Sequence, residues 1–323
     1  MNPLSDYYAS LHSAGLISRL LELARDEDLG TGGQGGDVTG KAFLPGYIRG
    51  RFSIVARTQA TLSGLACIDE LLHTFQADAD VKLNCADGDS VPAGTTVAVL
   101  SGRTRDVLSV ERTVLNLVSR LSGIATITAS YVAAAKVPGA KAQILDTRKT
   151  TPGLRQLEKY AVRCGGGYSH RMGLFDAVLI KDNHLAGLAG AAAHIDGAVR
   201  NTFDLAEEVR RAVKSARDHA PRAGLKFIEL EVDSLAQLAE VLGSGDGTSC
   251  GVHIILLDNM TPEQIAQAVA MRDAAQQRVM LEASGGITLA NLPRYAATGV
   301  DRISIGALTH QAVSLDFGLD AAR

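Results

Sequence analysis

The sequence has no tryptophan, and only seven tyrosines and seven phenylalanines in 323 residues. That leaves too few aromatic faces for a base-stacking nucleic-acid surface. It also lacks an excess of one charge: the formal net charge is -3, which gives no global pull toward nucleic acid or an anionic membrane. An anionic ligand would have to be drawn in by a local cluster of cations. The four cysteines, Cys67, Cys85, Cys164 and Cys250, are far apart and form neither a CxxC pair nor a zinc-ligand spacing, so they read as buried or incidental thiols. The N-terminus lacks a basic stretch followed by an apolar one, so no secretory signal is visible. No run approaches 18 uninterrupted apolar residues, so no membrane span is expected. These absences point to a reduced, soluble, cytoplasmic protein with no nucleic-acid or membrane partner. At this length the chain forms one large α/β domain or a large domain plus a small one.

The chain changes grammar part of the way along. Residues 5–25 carry Leu11, Leu16, Ile17, Leu20, Leu21 and Leu23 at spacings that predict an amphipathic helix. The stretch GTGGQGGDVT, residues 30–39, is too rich in glycine for a helix and lacks the strand and Lys-Ser/Thr ending of a phosphate-binding P-loop. From Arg51 to Gly102 the pattern is β, with β-branched residues between Gly, Asp and Pro punctuation. Within it, DGDSVPAGTTVAVL is similar to a lipoyl-type hairpin. No lysine sits at its tip, so it reads as scaffold. Residues 106–121 predict a helix ended by Gly123, with room for a strand within 123–140. Beyond that, apolar strands at 142–145, 177–180, 227–232, 252–257, 279–281 and 300–305 alternate with helical segments. Repeated βα units of this kind predict a parallel sheet covered by helices, closed toward a (β/α) barrel.

The chemistry is concentrated where these strands end. Leu145 is followed by Asp146, Arg148 and Lys149, and the 177–180 strand by Lys181. Glu231 lies near the end of FIELEV, HIILL runs into Asp258, and VML runs into Glu282, Ser284, Gly285 and Gly286. RISI ends at Gly306. In parallel barrels the loops at the C-terminal strand ends converge on one face and carry the site. Packing does not explain six successive strands ending in polar groups. RCGGGYSHRMGL adds His170 and Arg171, delivered by three glycines that stop a helix over 155–163. Arg148, Lys149, His170, Arg171 and Lys181 repel one another unless an anion lies among them, so the cluster predicts a multiply anionic ligand. Glu231 and Asp258 among those cations suit Mg2+ shared with a phosphorylated substrate, or contacts to sugar hydroxyls. Ser284, Gly285 and Gly286, before a helix starting near Thr288, suit a phosphate at a helix N-terminus.

The assembled motifs resemble the quinolinate phosphoribosyltransferase family, the carboxylating nicotinate-nucleotide pyrophosphorylases of NAD biosynthesis. LDTRKTTPGLRQLEKYAVRCGGGYSHRMGLFDAVLIKDNH carries the likeness. VERTVLNLVSRLSGIAT, ELEVDSL, LLDN, LEASGGI and GVDRISIGALTH extend it over nearly the whole chain. The resemblance implies a small N-terminal α/β sandwich-like domain, residues 1–122, then an incomplete (β/α) barrel, 123–310, and a C-terminal tail, 311–323. It implies Mg2+-dependent phosphoribosyl transfer from 5-phosphoribosyl-1-pyrophosphate to quinolinate with loss of CO2, in a homodimer.

For the site, the resemblance implies that Arg148, His170 and Arg171 hold the quinolinate carboxylates and that Lys149 and Lys181 lie near both substrates. Glu231 and Asp258 would serve the ribose and metal. Ser284, Gly285, Gly286 and Gly306 would hold the 5-phosphate, and Arg112 would reach in from the other subunit. Two departures from the family pattern are a lengthened glycine-rich loop at 30–36 and an extended segment at 185–201, containing His194, that reads as a lid or a decorated loop. The rival readings are a molybdenum-associated sister family with another acceptor, and a phosphosugar sensor without catalysis. The sensor should lack a carboxylate or a paired cation, and none is missing.

Overall fold

The computed structural model describes residues 3–31, 35–181, 183–184, 187, 204–220, 224–243 and 249–321. Nearly all of the extended segment 185–201, His194 included, and residues 32–34 of the glycine-rich loop lie outside the described residues. Packing groups the chain into two compact units. The first comprises Met1–Val132, Lys149–Ser169 and Gly306–Arg323, and the second Ala133–Arg148 and His170–Ile305.

The first unit opens with α1 (Pro3–His12) and α2 (Leu16–Leu29), two helices where the sequence reads as one. Gly15, at φ 72, takes the left-handed conformation that separates them. Then follow α3 (Val38–Phe43), β1 (Arg49–Ala56), β2 (Ala60–Thr61), α4 (Ile68–Thr74), β3 (Ala79–Leu83), β4 (Ser90–Val91), β5 (Thr96–Arg103) and α5 (Thr104–Ala134). The second unit begins with β6 (Gln143–Leu145). The chain returns to the first for α6 (Arg155–Cys164). It then builds β7 (Val178–Ile180), α7 (Leu205–Asp218), β8 (Ile228–Val232), α8 (Leu235–Leu242), β9 (Ile254–Asp258), α9 (Pro262–Ala274), β10 (Met280–Ser284), α10 (Leu292–Ala296) and β11 (Arg302–Ser304) in the second. Last come α11 (Ala307–His310) and β12 (Phe317–Ala321), back in the first.

The first unit holds an antiparallel sheet in the order β12-β1-β5-β3. The segment expected as a C-terminal tail therefore supplies an edge strand, with Phe52 opposite Ala321 and Ala56 opposite Phe317. Ile54, Ala98 and Leu100 are fully buried in this sheet, as are Val107 and Val110 on α5.

Helix α5 corrects two expectations. Gly123 does not end it, and 123–140 contributes no strand: the helix runs unbroken to Ala134. Gly123 is there for packing, because a Cβ on it would collide with the backbone carbonyl of Val313. Arg120, one turn earlier, gathers the neighbouring segments. Its guanidinium contacts Glu158 Oε1 of α6 at 2.8 Å and donates to the carbonyls of Thr309 (2.8 Å) and Ala312 (2.6 Å). Among the described residues α5 is the one helix long and apolar enough to cross a bilayer. The ion pair to the fully buried Glu158 identifies it as a core helix of this unit.

The second unit is a six-stranded sheet in the order β6-β11-β10-β9-β8-β7, every pairing parallel. Its register separates two chemically different faces, because alternate residues of a strand point to opposite sides. Ile180, Leu230, Ile255 and Leu281 fall in line on one face, as do Ala283, Ile303 and Ile144. All are buried, and α7 and α8 pack on β8. The other face carries Glu229, Glu231, Asp258, Glu282, Ser284, Arg302 and Ser304. Helix starts are well specified: Asp204, Ser234 and Thr261 cap α7, α8 and α9, the last with a full capping box and Pro262 at the first turn.

The packing at Gly123 makes a signed prediction. In an exposed helix Gly→Ala stabilises by about 1 kcal/mol. Here the added methyl must displace the 313 backbone, so Gly123→Ala should destabilise by roughly 1–3 kcal/mol, read from urea unfolding. A variant more stable than the parent would contradict this packing.

Candidate active site

The expected site residues of the second unit meet at the C-terminal edge of its sheet. Asp258 pairs with Ser284, and Ser284 with Ser304, so the upper layer of the polar face runs across β9, β10 and β11. One step below, Glu231 and Glu282 both align with Leu256, and Arg302 aligns with Glu282.

The excursion of the chain into the first unit leaves and re-enters this edge beside β6. Arg148 is the last residue before it, and His170 and Arg171 are the first after it. The buried Asp146 carboxylate accepts a hydrogen bond from the His170 backbone N–H at 2.9 Å, fastening exit to re-entry. Within the excursion the triple glycine closes α6. Gly167 N–H donates to the Val162 carbonyl and Gly166 N–H to that of Arg163, while Gly166 adopts φ 84. This is a Schellman ending, which needs a left-handed residue at that position. The glycines are thus read correctly as a stop, one residue later than expected.

The cations differ in environment. Arg148 is exposed, and no ion pair joins it to a described residue. Arg171 is buried, and one of its terminal nitrogens donates to the Ala177 carbonyl at 3.3 Å. Burial, and then the neighbouring charge of Arg148, hold the Arg171 guanidinium below its usual value. Two guanidiniums close enough for one to lower the pKa of the other suit an anion. Lys181 Nζ lies 2.6 Å from Glu231 Oε2. Asp258 Oδ2 accepts from Asn259 Nδ2 at 2.7 Å.

Gly285 adopts φ 90, and a Cβ there would collide with the Asn259 side-chain oxygen. Glycine therefore lets the loop after β10 close over the loop after β9. Asn291 bonds back to this loop, its Oδ1 accepting from Thr288 N–H and its Nδ2 donating to the Gly286 carbonyl. The expected helix start near Thr288 is this side-chain-capped turn; α10 begins at Leu292.

Arg112, Lys149 and Gly306 belong to the first unit. Arg112 is exposed on α5 and makes no ion pair with a described residue. The Lys149 stem passes over Gly306, where a Cβ would come within 2.9 Å of Lys149 Cδ. Thr309 Oγ1 donates to the Lys149 carbonyl at 2.7 Å.

Sequence reasoning did not single out Glu229 and Arg302, and noted Glu282 only as the start of a loop. His170 Nε2 lies 3.0 Å from Glu229 Oε2 and 3.1 Å from Glu282 Oε1, and Arg302 Nε donates to Glu282 Oε2 at 2.7 Å. Both carboxylates are fully buried. The signal lay in period 2, since Glu229 and Glu231 sit two apart in one strand and share a face. Burial alone would pull the His170 pKa down. The charges and contacts of Glu282 and Glu229 outweigh it and push the value up to about 9. Burial and the charge of Glu282 raise Glu229. Glu282 is held low against its own burial by His170 and Arg302.

The chain is similar to known proteins over nearly its whole length. The family described as quinolinate phosphoribosyl transferase, C-terminal domain, matches residues 124–320, and its N-terminal counterpart matches 37–122. The chain is 40% identical over 289 residues to the carboxylating nicotinate-nucleotide pyrophosphorylase of Mycobacterium leprae, covering 88% of this chain and 90% of that one. It is 34% identical over 310 residues to the decarboxylating quinolinate phosphoribosyltransferase 1 of Nicotiana glauca, covering 94% and 81%. The solved nicotinate-nucleotide pyrophosphorylase of Francisella tularensis superposes with a TM-score of 0.78 at 32% identity, over 95% of this chain and 96% of that one.

The charge on His170 makes stability depend on pH. Its folded pKa lies above the ordinary 6.5, so the stability it contributes is complete below about pH 6.5 and is lost as pH rises through about 9. Imidazole 15N shifts should show His170 protonated at pH 7.5 and titrating near 9. A midpoint at or below 6.5 would contradict the arrangement.

Proposed function

The chain belongs to the quinolinate phosphoribosyltransferase family, and from that membership we infer that it transfers phosphoribose from 5-phosphoribosyl-1-pyrophosphate to quinolinate. The products are nicotinate mononucleotide, pyrophosphate and CO2, in the biosynthesis of NAD. The observation that carries this reading is the convergence of Arg148, His170, Arg171 and Lys181 with Glu231 and Asp258 on one edge of one parallel sheet. A dianionic acceptor and a polyanionic donor both require such a cationic rim.

Arg148, His170 and Arg171 take the two quinolinate carboxylates. Ser284, Gly285 and Gly286 offer backbone N–H groups and a hydroxyl to the 5-phosphate. We add Gly306 there, and Lys149 beside both substrates; these two roles rest on the family resemblance. As the bond to pyrophosphate breaks, positive charge develops at the anomeric carbon, and Glu231 and Asp258 stabilise it. Lys181, which pairs with Glu231, and Lys149 balance the charge of the departing pyrophosphate. The quinolinate ring nitrogen attacks the anomeric carbon. Once that nitrogen is quaternary, the adjacent carboxylate leaves as CO2, because the carbanion left behind sits beside the positive nitrogen and is then protonated. No covalent enzyme intermediate is needed.

Mg2+ fits the available donors. Glu231 and Asp258 offer only oxygen, are half-buried, and lie on neighbouring strands of the polar face. They would hold the ion directly or through water, and its charge would support the leaving group. We assign the protein to the cytoplasm, which suits four free cysteines, and to a homodimer in which Arg112 serves the partner's site.

Purified protein with quinolinate, 5-phosphoribosyl-1-pyrophosphate and Mg2+ should release nicotinate mononucleotide and CO2 in equal amounts by mass spectrometry, and neither without Mg2+. Binding of the phosphosugar with no turnover would instead favour the sensor reading. Arg148→Ala should raise the quinolinate KM by roughly tenfold or more, as expected for a lost charge-assisted contact. For Arg112, an equal mixture of inactive Arg112→Ala and Lys181→Ala protomers should recover up to about a quarter of the parent activity, since half the dimers then hold one intact site. No recovery after subunit exchange would sink the cross-subunit role.

A further inference from the structure

Four charges are buried against the polar face of the parallel sheet: Glu282 and Arg302 are level with Glu231, Glu229 is one layer below, and His170 comes from the loop before β7. Glu229 and Glu282 are fully buried, and the His170 ring lies between them at 3.0 and 3.1 Å. Arg302 donates to the far oxygen of Glu282 at 2.7 Å and lies over the Phe227 ring, 5.6 Å from its centroid. The same ring meets His170 edge-on, with centroids 5.4 Å apart and planes at 87°. Neither Glu229 oxygen accepts a hydrogen bond from a described residue, so the positive ring beside it is its compensation. Without that charge a buried carboxylate would stand bare, an arrangement proteins avoid by changing protonation.

We propose that Glu229, Glu282 and Arg302 are positioning residues for quinolinate: they fix the His170 ring in one orientation as an imidazolium, so that it meets a substrate carboxylate as a permanent cation. The inference rests on the quinolinate reading and deepens it. With His170 protonated, the four side chains carry no net charge. A divalent ion in place of that proton would leave net positive charge buried in the sheet, so the three possible ligands His170, Glu229 and Glu282 are better matched by a proton. Both carboxylates are met by Nε2, so Nδ1 is the ring nitrogen through which the side chain would reach the substrate. Asp146 fixes the backbone N–H of the same residue.

Glu282 and Glu229 are the charges that act on the ring, and they keep His170 charged at neutral pH against its own burial. The upward shift of its pKa to about 9 agrees with this. A neutral imidazole offers a carboxylate one hydrogen bond, whereas an imidazolium offers charge as well, and charge-assisted bonds are roughly twice as strong as neutral ones.

The test compares the parent with Glu282→Gln. The parent must first turn quinolinate over; if it does not, the functional reading fails and the positioning idea has no substrate to act on. Given turnover, Glu282→Gln should raise the quinolinate KM roughly tenfold at pH 8. The KM for 5-phosphoribosyl-1-pyrophosphate should stay within about twofold, and the quinolinate loss should shrink at pH 6.5, where the ring regains its proton. An unchanged quinolinate KM would overturn the proposal. So would equal losses for both substrates with no recovery at low pH, which mark a merely structural role. If Glu282→Gln does not fold, the parent labelled with 15N-histidine decides. Quinolinate should move the His170 Nδ1 signal of an imidazolium at pH 7.5, and a neutral ring or an unmoved signal would overturn the proposal.

Discussion

An imidazole held between two buried carboxylates, with a guanidinium on the second, is the interaction on which the second unit's chemistry depends. A parallel sheet covered by helices usually fills its interior with aliphatic side chains. This one does so on the face of Leu230, Ile255 and Leu281, whereas the other face buries Glu229, Glu282, Arg302 and His170. Buried charges of this kind add little stability relative to apolar replacements, and breaking one partner is costly. Their presence under a cationic rim therefore makes functional rather than stabilising sense. They hold one cation of the rim in place from below.

The rim follows from the same constraint. Asp146 ties the start of the excursion to its end through the His170 N–H. Arg148, exposed, and Arg171, buried, thus come near enough for one to depress the pKa of the other. On the next strands Lys181 is already neutralised by Glu231, and Asp258 by no cation among the described residues. The site accordingly has a strongly cationic end and a mixed end. That matches an acceptor with two carboxylates and a sugar phosphate that must develop positive charge at one carbon.

The strand ends were legible in the sequence because each apolar run is short and is broken by a polar residue at its close. All six runs became strands within a few residues of their expected limits. Glu229 and Arg302 were not singled out, because a charge inside or at the start of a strand reads as solvated until its partners on other strands are known. The pairing of Arg302 with Glu282 spans two strands, and that of His170 with Glu229 joins a loop to a strand. The length of α5 was hidden by Gly123, whose role is close approach to residue 313, not helix termination. Strand β12 was hidden because its partner, β1, lies more than two hundred residues away. The return of α6 to the first unit was equally invisible, since contacts and not sequence order define that unit.

The cationic rim should select a ligand bearing two carboxylates on a pyridine ring. Titration calorimetry with quinolinate, and with nicotinate, which lacks the carboxylate next to the ring nitrogen, tests it directly. One quinolinate should bind per chain, and nicotinate should bind about tenfold or more weakly, since one cation is left unpaired. Equal affinity for the two would contradict it, because the paired arginines and the buried imidazolium would then recognise nothing that the single carboxylate does not.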